Sequence, residues 1–132
     1  MATTGELFSA AVIMREYSYC VYSRFSVGAA IEAVNDDGDR RVFTGCNVEN
    51  SSFGGTICAE RTAAVKAVSA GYTTFLAAAV SGGIAGEEEK SDTFPCGICL
   101  QFMAEFAAPD MRIILKSGTY RFDELFPNKF SL

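Results

Sequence analysis

Apolar residues in the first twenty positions recur with helical period. Leu7, Ala10, Ala11 and Met14 follow the i, i+3, i+4, i+7 spacing and leave Glu6 and Arg15 for solvent, which predicts a helix over 4–20. The pattern then changes. Residues 27–34 (VGAAIEAV) read as a strand, Asn35-Asp36-Asp37-Gly38 as a turn, and 41–46 (RVFTGC) as a second strand, together an antiparallel hairpin. Residues 50–55 (NSSFGG) are loop, and an Ala-rich helix over 57–70 ends at Gly71. A buried strand follows at 74–81, and Gly82 to Asp92 is a polar, glycine-rich surface loop. Phe94-Pro95 marks a boundary before a helix over 96–107, in which Ile98, Phe102 and Phe106 stand four apart. Strands over 112–116 and 119–122 and a last helical turn over 123–126 complete the chain.

Strands alternating with helices predict an α/β domain: three layers, α/β/α, around a five-stranded mixed sheet. The first hairpin is antiparallel, and the strand–helix–strand connection over 74–116 makes a right-handed parallel crossover. At 132 residues, without a repeat, linker or low-complexity tract, residues 1–132 read as one domain.

Composition narrows the function. Sixteen acidic against eleven basic residues give a net charge of −5, with no basic block, which argues against a nucleic-acid partner. No apolar run is long enough to span a membrane, and the first residues lack the basic start of a secretory signal, so the expected location is the cytoplasm. Histidine is absent, so any metal site or acid–base chemistry falls to other residues. The five cysteines are an odd set, a better match to metal binding or catalysis than to a disulfide framework.

Two segments carry the chemistry: Cys58-Ala59-Glu60-Arg61 and Pro95-Cys96-Gly97-Ile98-Cys99, each at the expected start of a helix. Helix N-termini present unpaired N–H groups and the positive end of the dipole, which favour thiolate over thiol. Cys58, Cys96 and Cys99 converging from two such ends make a soft site suited to one Zn²⁺. Three ligands leave a position for water, unless Cys20 or Cys46 supplies a fourth. Glu60 is the carboxylate to move a proton from that water to the substrate, provided the metal lies over the first helical turn. Arg61 is placed to offset the net negative charge of three thiolates on zinc. A lone C-x-x-C is equally a redox or structural element; the C-A-E element ahead of it matches the zinc-deaminase pattern.

Longer motifs in the same order, Tyr22-Ser23-Arg24-Phe25-Ser26-Val27-Gly28-Ala29-Ala30, Thr44-Gly45-Cys46-Asn47-Val48-Glu49-Asn50, Cys58-Ala59-Glu60-Arg61-Thr62-Ala63, Pro95-Cys96-Gly97-Ile98-Cys99-Leu100-Gln101 and Leu125-Phe126-Pro127-Asn128-Lys129-Phe130, span nearly the whole chain. In them the sequence resembles the small homotetrameric cytidine deaminases. The resemblance implies hydrolytic deamination of cytidine and deoxycytidine to uridine and deoxyuridine, by water activated on zinc and attacking C4. It implies Cys58, Cys96 and Cys99 as zinc ligands and Glu60 as proton shuttle. It also implies Asn47 and Glu49 on the ribose hydroxyls, Phe25 as a wall of the base pocket, Ala59 as a substrate contact, and Phe130 stacking on the pyrimidine of a neighbouring subunit. The bland reading of the same residues is a turn at Asn47, a solvated carboxylate at Glu49 and a tail anchor at Phe130.

Two positions depart from the family: Leu100 stands where arginine is common, and Phe53 where tyrosine is frequent. The alternatives are a deaminase of another small cytosine-bearing molecule such as a nucleoside antibiotic, a nucleic-acid-editing cytosine deaminase, and a zinc-stabilised module without chemistry.

Overall fold

The computed structural model describes residues 1–132. Helix α1 (Thr4–Met14) opens on a capping box: the Thr3 hydroxyl accepts from Glu6 N–H at 3.1 Å and the Glu6 carboxylate from Thr3 N–H at 2.9 Å. The elements that follow are β1 (Phe25–Val34), β2 (Arg40–Cys46), α2 (Ala59–Ser69), β3 (Thr74–Ile84), α3 (Gly97–Ala104), β4 (Ala107–Ile114), β5 (Thr119–Arg121) and α4 (Phe122–Leu125). The strands form one sheet in the order β2-β1-β3-β4-β5. β1 is antiparallel to both β2 and β3, β3 and β4 are parallel, and β4 and β5 are antiparallel. The five-stranded mixed sheet, its first hairpin and its central parallel crossover all match expectation.

Both faces of the central strands are covered, which explains their near-continuous apolar runs. On one face Leu7 and Ala11 of α1 pack with Ala30, Ala77, Ala79 and Ile114. On the other, α2 and α3 pack with Ala29, Ile31, Ala78, Val80 and Ile113. The side chains alternate along β1 and β3 with the two-residue period of a strand. Two glycines let helices touch the sheet: a Cβ on Gly28 would lie 1.9 Å from Ala11 O of α1, and one on Gly45 would lie 2.5 Å from Ala63 N and 2.7 Å from Ala59 O of α2. No helix is long and apolar enough to cross a membrane.

Three expectations shift. The first helix stops at Met14 and gives way to a 3₁₀ turn over Arg15–Tyr17, so Cys20 lies in a turn and does not end a helix. There the Arg15 side chain leaves the helix to donate to Ser26 O and Oγ and to Ile84 O, tying the chain to β1 and β3. Strand β3 runs on to Ile84, because Gly82 and Gly83 pair with Val27 and Ser26 where a turn was expected. In α3 the buried face is Cys99, Leu100 and Met103, while Ile98 is 64% exposed.

Candidate metal and substrate site

The site lies at one end of the sheet. β1 begins there at Phe25, paired with Ile84 at the end of β3, and β2 ends there at Cys46, paired with Gly28. Beyond β2 the chain stays extended and forms a small ladder: Val48 bridges Tyr19 on one side and Ile57 on the other. Val48 N–H donates to Ile57 O at 2.9 Å and Ile57 N–H to Val48 O at 3.0 Å, which delivers the chain to Cys58 beside that ladder.

Cys58 is the N-cap of α2 and Cys96 the N-cap of α3. Neither makes a side-chain capping bond, so both sulfurs are free to turn toward each other. Cys58 Sγ and Cys96 Sγ are 3.7 Å apart, and the three Sγ atoms of Cys58, Cys96 and Cys99 all lie within 4.8 Å of one another. Four ligands at the Zn–S distance of about 2.3 Å around a tetrahedral ion sit about 3.8 Å apart, so the thiols fit zinc with little adjustment. Cys20 and Cys46 are buried and stand outside this cluster, so no fourth cysteine joins it. Cys99 is buried, Cys58 half-buried and Cys96 exposed, which leaves the cluster open on one side.

The surroundings favour the thiolate at Cys58. Cys58 is pulled down to about 5, chiefly by a hydrogen bond from the Cys99 thiol and also by Arg61, against the opposing effect of burial. Cys99 is pushed up by that same contact and by burial. The Arg61 guanidinium donates to Cys58 Sγ at 3.7 Å and to Thr56 O at 3.3 Å. Glu60, in the first turn of α2, is 4% exposed, and burial pushes its carboxyl up to about 7, helped by the neighbouring Cys58 thiolate. A carboxyl balanced near neutrality can both take and return a proton at physiological pH. Ala59, at the first turn of α2, is fully buried.

Asn47 and Glu49 flank Val48 in the extended segment and so point to one side of it together. Asn47 is buried: its Oδ1 accepts from Val27 N–H at 2.8 Å and from the Ser18 hydroxyl, and its Nδ2 donates to Phe25 O at 2.8 Å. Glu49 accepts from Tyr22 N–H and Ser23 N–H, each at 3.0 Å, and from the Ser23 hydroxyl. The Ser23 contacts hold its carboxyl below the usual carboxylate range. Both residues therefore brace the 18–27 segment. Ser23 lies within a motif that carries the resemblance, but its role as a partner is not read from that motif, and Ser18 carries no signal in the sequence, because isolated serines occur throughout loops.

Phe25 is 41% exposed, and its ring lies over Gly82, where a Cβ would come within 3.1 Å of it. Phe130 is 67% exposed, with its backbone carbonyl held by Gln101 Nε2 at 3.0 Å and Lys129 paired with Asp123 at 3.2 Å. Leu100 packs in the core cluster with α2 and α3, and Phe53 is an exposed ring set edge-on to Tyr22 at 5.7 Å. A depression of about 820 Å³ between α1 and the 85–89 loop contains neither Glu60 nor any of the three clustered cysteines.

Three converging thiols with an open side, beside a buried carboxyl, are a donor set that could hold one metal ion with a position left free, whereas a structural zinc knot closes its site with a fourth ligand. The family model for the cytidine and deoxycytidylate deaminase zinc-binding region matches residues 1–115. The chain belongs to that family. It is 44% identical over 126 residues to a probable cytidine deaminase of Dictyostelium discoideum, covering 89% of this chain and 76% of that protein. To the cytidine deaminase of Sporosarcina psychrophila it is 42% identical, covering 89% of this chain and 83% of the relative. Among solved structures, the Burkholderia pseudomallei cytidine deaminase superposes with a TM-score of 0.81 at 40% identity, over 98% of this chain and all of that one. The Mycobacterium tuberculosis enzyme gives 0.82 at 36% identity over the full length of both chains.

Proposed function

We propose that this chain catalyses the hydrolytic deamination of cytidine and deoxycytidine to uridine and deoxyuridine with release of ammonia, a step of pyrimidine salvage. The observation that carries the reading is the meeting of three thiols and a carboxyl near neutral pKa at two helix N-termini, in a member of this family. Cys58, Cys96 and Cys99 would hold one zinc ion per subunit, which supplies the Lewis acidity that makes water a nucleophile at neutral pH.

The protein's residues divide the remaining work. Glu60 takes a proton from the attacking water, passes it to N3 of the cytosine ring, and returns a proton to the departing amine. The C4–O bond forms first, as N3 takes the first proton of the water; Glu60 then carries the second, from the new C4 hydroxyl, to the amine, the C4–N bond breaks, and ammonia leaves behind the C4 carbonyl of uridine. Burial of Glu60 keeps that proton from bulk solvent. Arg61 offsets the charge of the thiolates. Asn47 and Glu49 hold the ribose hydroxyls, Ala59 contacts the substrate, and Phe25 walls the pocket. Phe130 stacks on the pyrimidine of a neighbouring subunit in a homotetramer. Exposed apolar residues, Ile57 and Ile98 next to the cysteines and Phe53 in the preceding loop, are the surface such a neighbour would cover. Residues 1–132 act as one deaminase domain in the cytoplasm, on a free nucleoside and not on nucleic acid or at a membrane.

The test is conversion of cytidine to uridine by zinc-analysed protein, followed by ultraviolet absorbance, with Glu60→Gln as control. Turnover at one zinc per subunit is expected, with loss of most activity but not of zinc in the variant. Near-normal turnover by Glu60→Gln would refute the shuttle.

A further inference from the structure

We propose that Ser18 is a positioning residue for the sugar end of the substrate, acting through Asn47; the inference rests on the assignment of Asn47 to the ribose. The Asn47 carboxamide is held at three points that come from different parts of the chain. Val27 N–H and Phe25 C=O, both on β1, engage Oδ1 and Nδ2 at 2.8 Å each. The Ser18 hydroxyl, arriving from the end of the 3₁₀ turn, donates to the same Oδ1.

An amide oxygen has two lone pairs and an amide nitrogen two hydrogens. Both Oδ1 acceptor sites are thus taken by Val27 and Ser18, and one Nδ2 hydrogen by Phe25. A flipped carboxamide would set its NH₂ group against Val27 N–H, so the sense of the group is fixed. What remains for a ligand is a single Nδ2 hydrogen, with no acceptor in the protein. Asn47 then acts only as a donor, and the partner acceptor for a sugar hydroxyl is the Glu49 carboxylate, itself anchored by Tyr22 and Ser23.

The Val27 and Phe25 contacts both lie along one strand edge. They set the sense of the amide, but both hold it from the same direction, that of β1. Ser18 supplies the off-strand contact that fixes the plane, and with it the direction of the free hydrogen. The Ser18 hydroxyl would touch no substrate atom; its effect is on where Asn47 points.

Steady-state kinetics on the zinc-loaded enzyme separate this from a general loosening. Ser18→Ala should raise KM for cytidine about three- to ten-fold, the range one lost hydrogen bond allows, and leave kcat within about two-fold. The inhibition constant of 2′,3′-dideoxyuridine, which lacks the hydroxyls, should not change, and Ser18→Thr should restore the cytidine KM. If Ser18→Ala does not fold, Ser18→Cys, with its weaker donor, must show the same selective rise. An equal loss for cytidine and the dideoxy competitor, an unchanged cytidine KM, or a fall confined to kcat would overturn the proposal. A wild type that binds zinc yet does not turn over cytidine would instead overturn the functional reading beneath it, and the proposal with it.

Discussion

Gly45 offers a test of how tightly the fold and the site are coupled. It sits in β2 under the first turns of α2, the helix that carries Cys58 at its N-cap and Glu60 in its first turn. In Gly45→Ala the new Cβ would lie 2.5 Å from Ala63 N, 2.7 Å from Ala59 O and 2.8 Å from the Thr62 Cβ. Ordinary contact starts at 3.4 Å, so these separations must open by between 0.6 and 0.9 Å. Two of the three atoms are backbone, so no side chain can turn aside and α2 must lift from the sheet. Overpacking of this kind costs about 1–3 kcal/mol. At about 4 °C per kcal/mol for a domain of this size, Tm should fall by roughly 4–12 °C. The displacement is also felt at the metal, because Cys58 moves with α2 while Cys96 and Cys99 stay with α3. Misplacement approaching 1 Å can cost about 100-fold in rate. The assay is thermal denaturation with zinc content and kcat, with Gly54→Ala as control, since a Cβ there meets nothing within 4 Å. A Gly45→Ala protein with unchanged Tm, full zinc and full kcat would show that α2 is not seated as described.

Two further outcomes follow from the electrostatics. Arg61→Ala removes the only guanidinium on Cys58 Sγ and should weaken zinc affinity about 10–100-fold, the usual effect of losing an outer partner of a metal ligand, read by chelator competition; unchanged retention would refute the role. In the metal-stripped protein, burial raises Glu60 to about 7 from its ordinary 4.5, so the folded state holds its proton more tightly than the unfolded chain. Glu60 then penalises folding progressively as pH climbs from about 4.5 to about 7 and by a constant amount above that. Metal-stripped Glu60→Gln should therefore gain about 2–3 kcal/mol on the wild type between pH 5 and pH 8 in urea unfolding, and a pH-independent difference would refute it.

Much of this architecture is legible in the residues, and the parts that are not share a cause. The elements and their order follow from periodicity, and the crossover from the alternation of strand and helix. The cysteines and Glu60 declare themselves because few other roles demand those types at those spacings. The end of α1 is hidden because it is set by Arg15 reaching Ser26 and Ile84, a contact made across the fold. Gly82 and Gly83 look like a turn because glycine is usually punctuation, yet here they keep β3 bare for Phe25, Thr93 and Arg15. Of the Ile98–Phe102–Phe106 series, Phe102 and Phe106 pack against the core, whereas Ile98 turns to solvent in the first turn of α3, which carries Cys99 inward to the thiol cluster.

Asn47 and Glu49 show why a bland and a functional reading of one residue need not compete. A turn residue and a solvated carboxylate are the bland reading of this pair, and both side chains do brace the backbone, at 25 and 27 and at 22 and 23. That bracing is what makes them useful to a ligand. A carboxamide whose acceptor sites are filled presents one hydrogen in one direction, and a carboxylate held by backbone donors stays ionised and in place. The consequence is practical. Truncating either residue removes a proposed sugar contact and releases the segment that carries Phe25, so loss of activity in Asn47→Ala or Glu49→Ala alone cannot distinguish binding from scaffolding. Substrates that differ only in their sugar hydroxyls can, because they leave the brace intact and change the ligand alone.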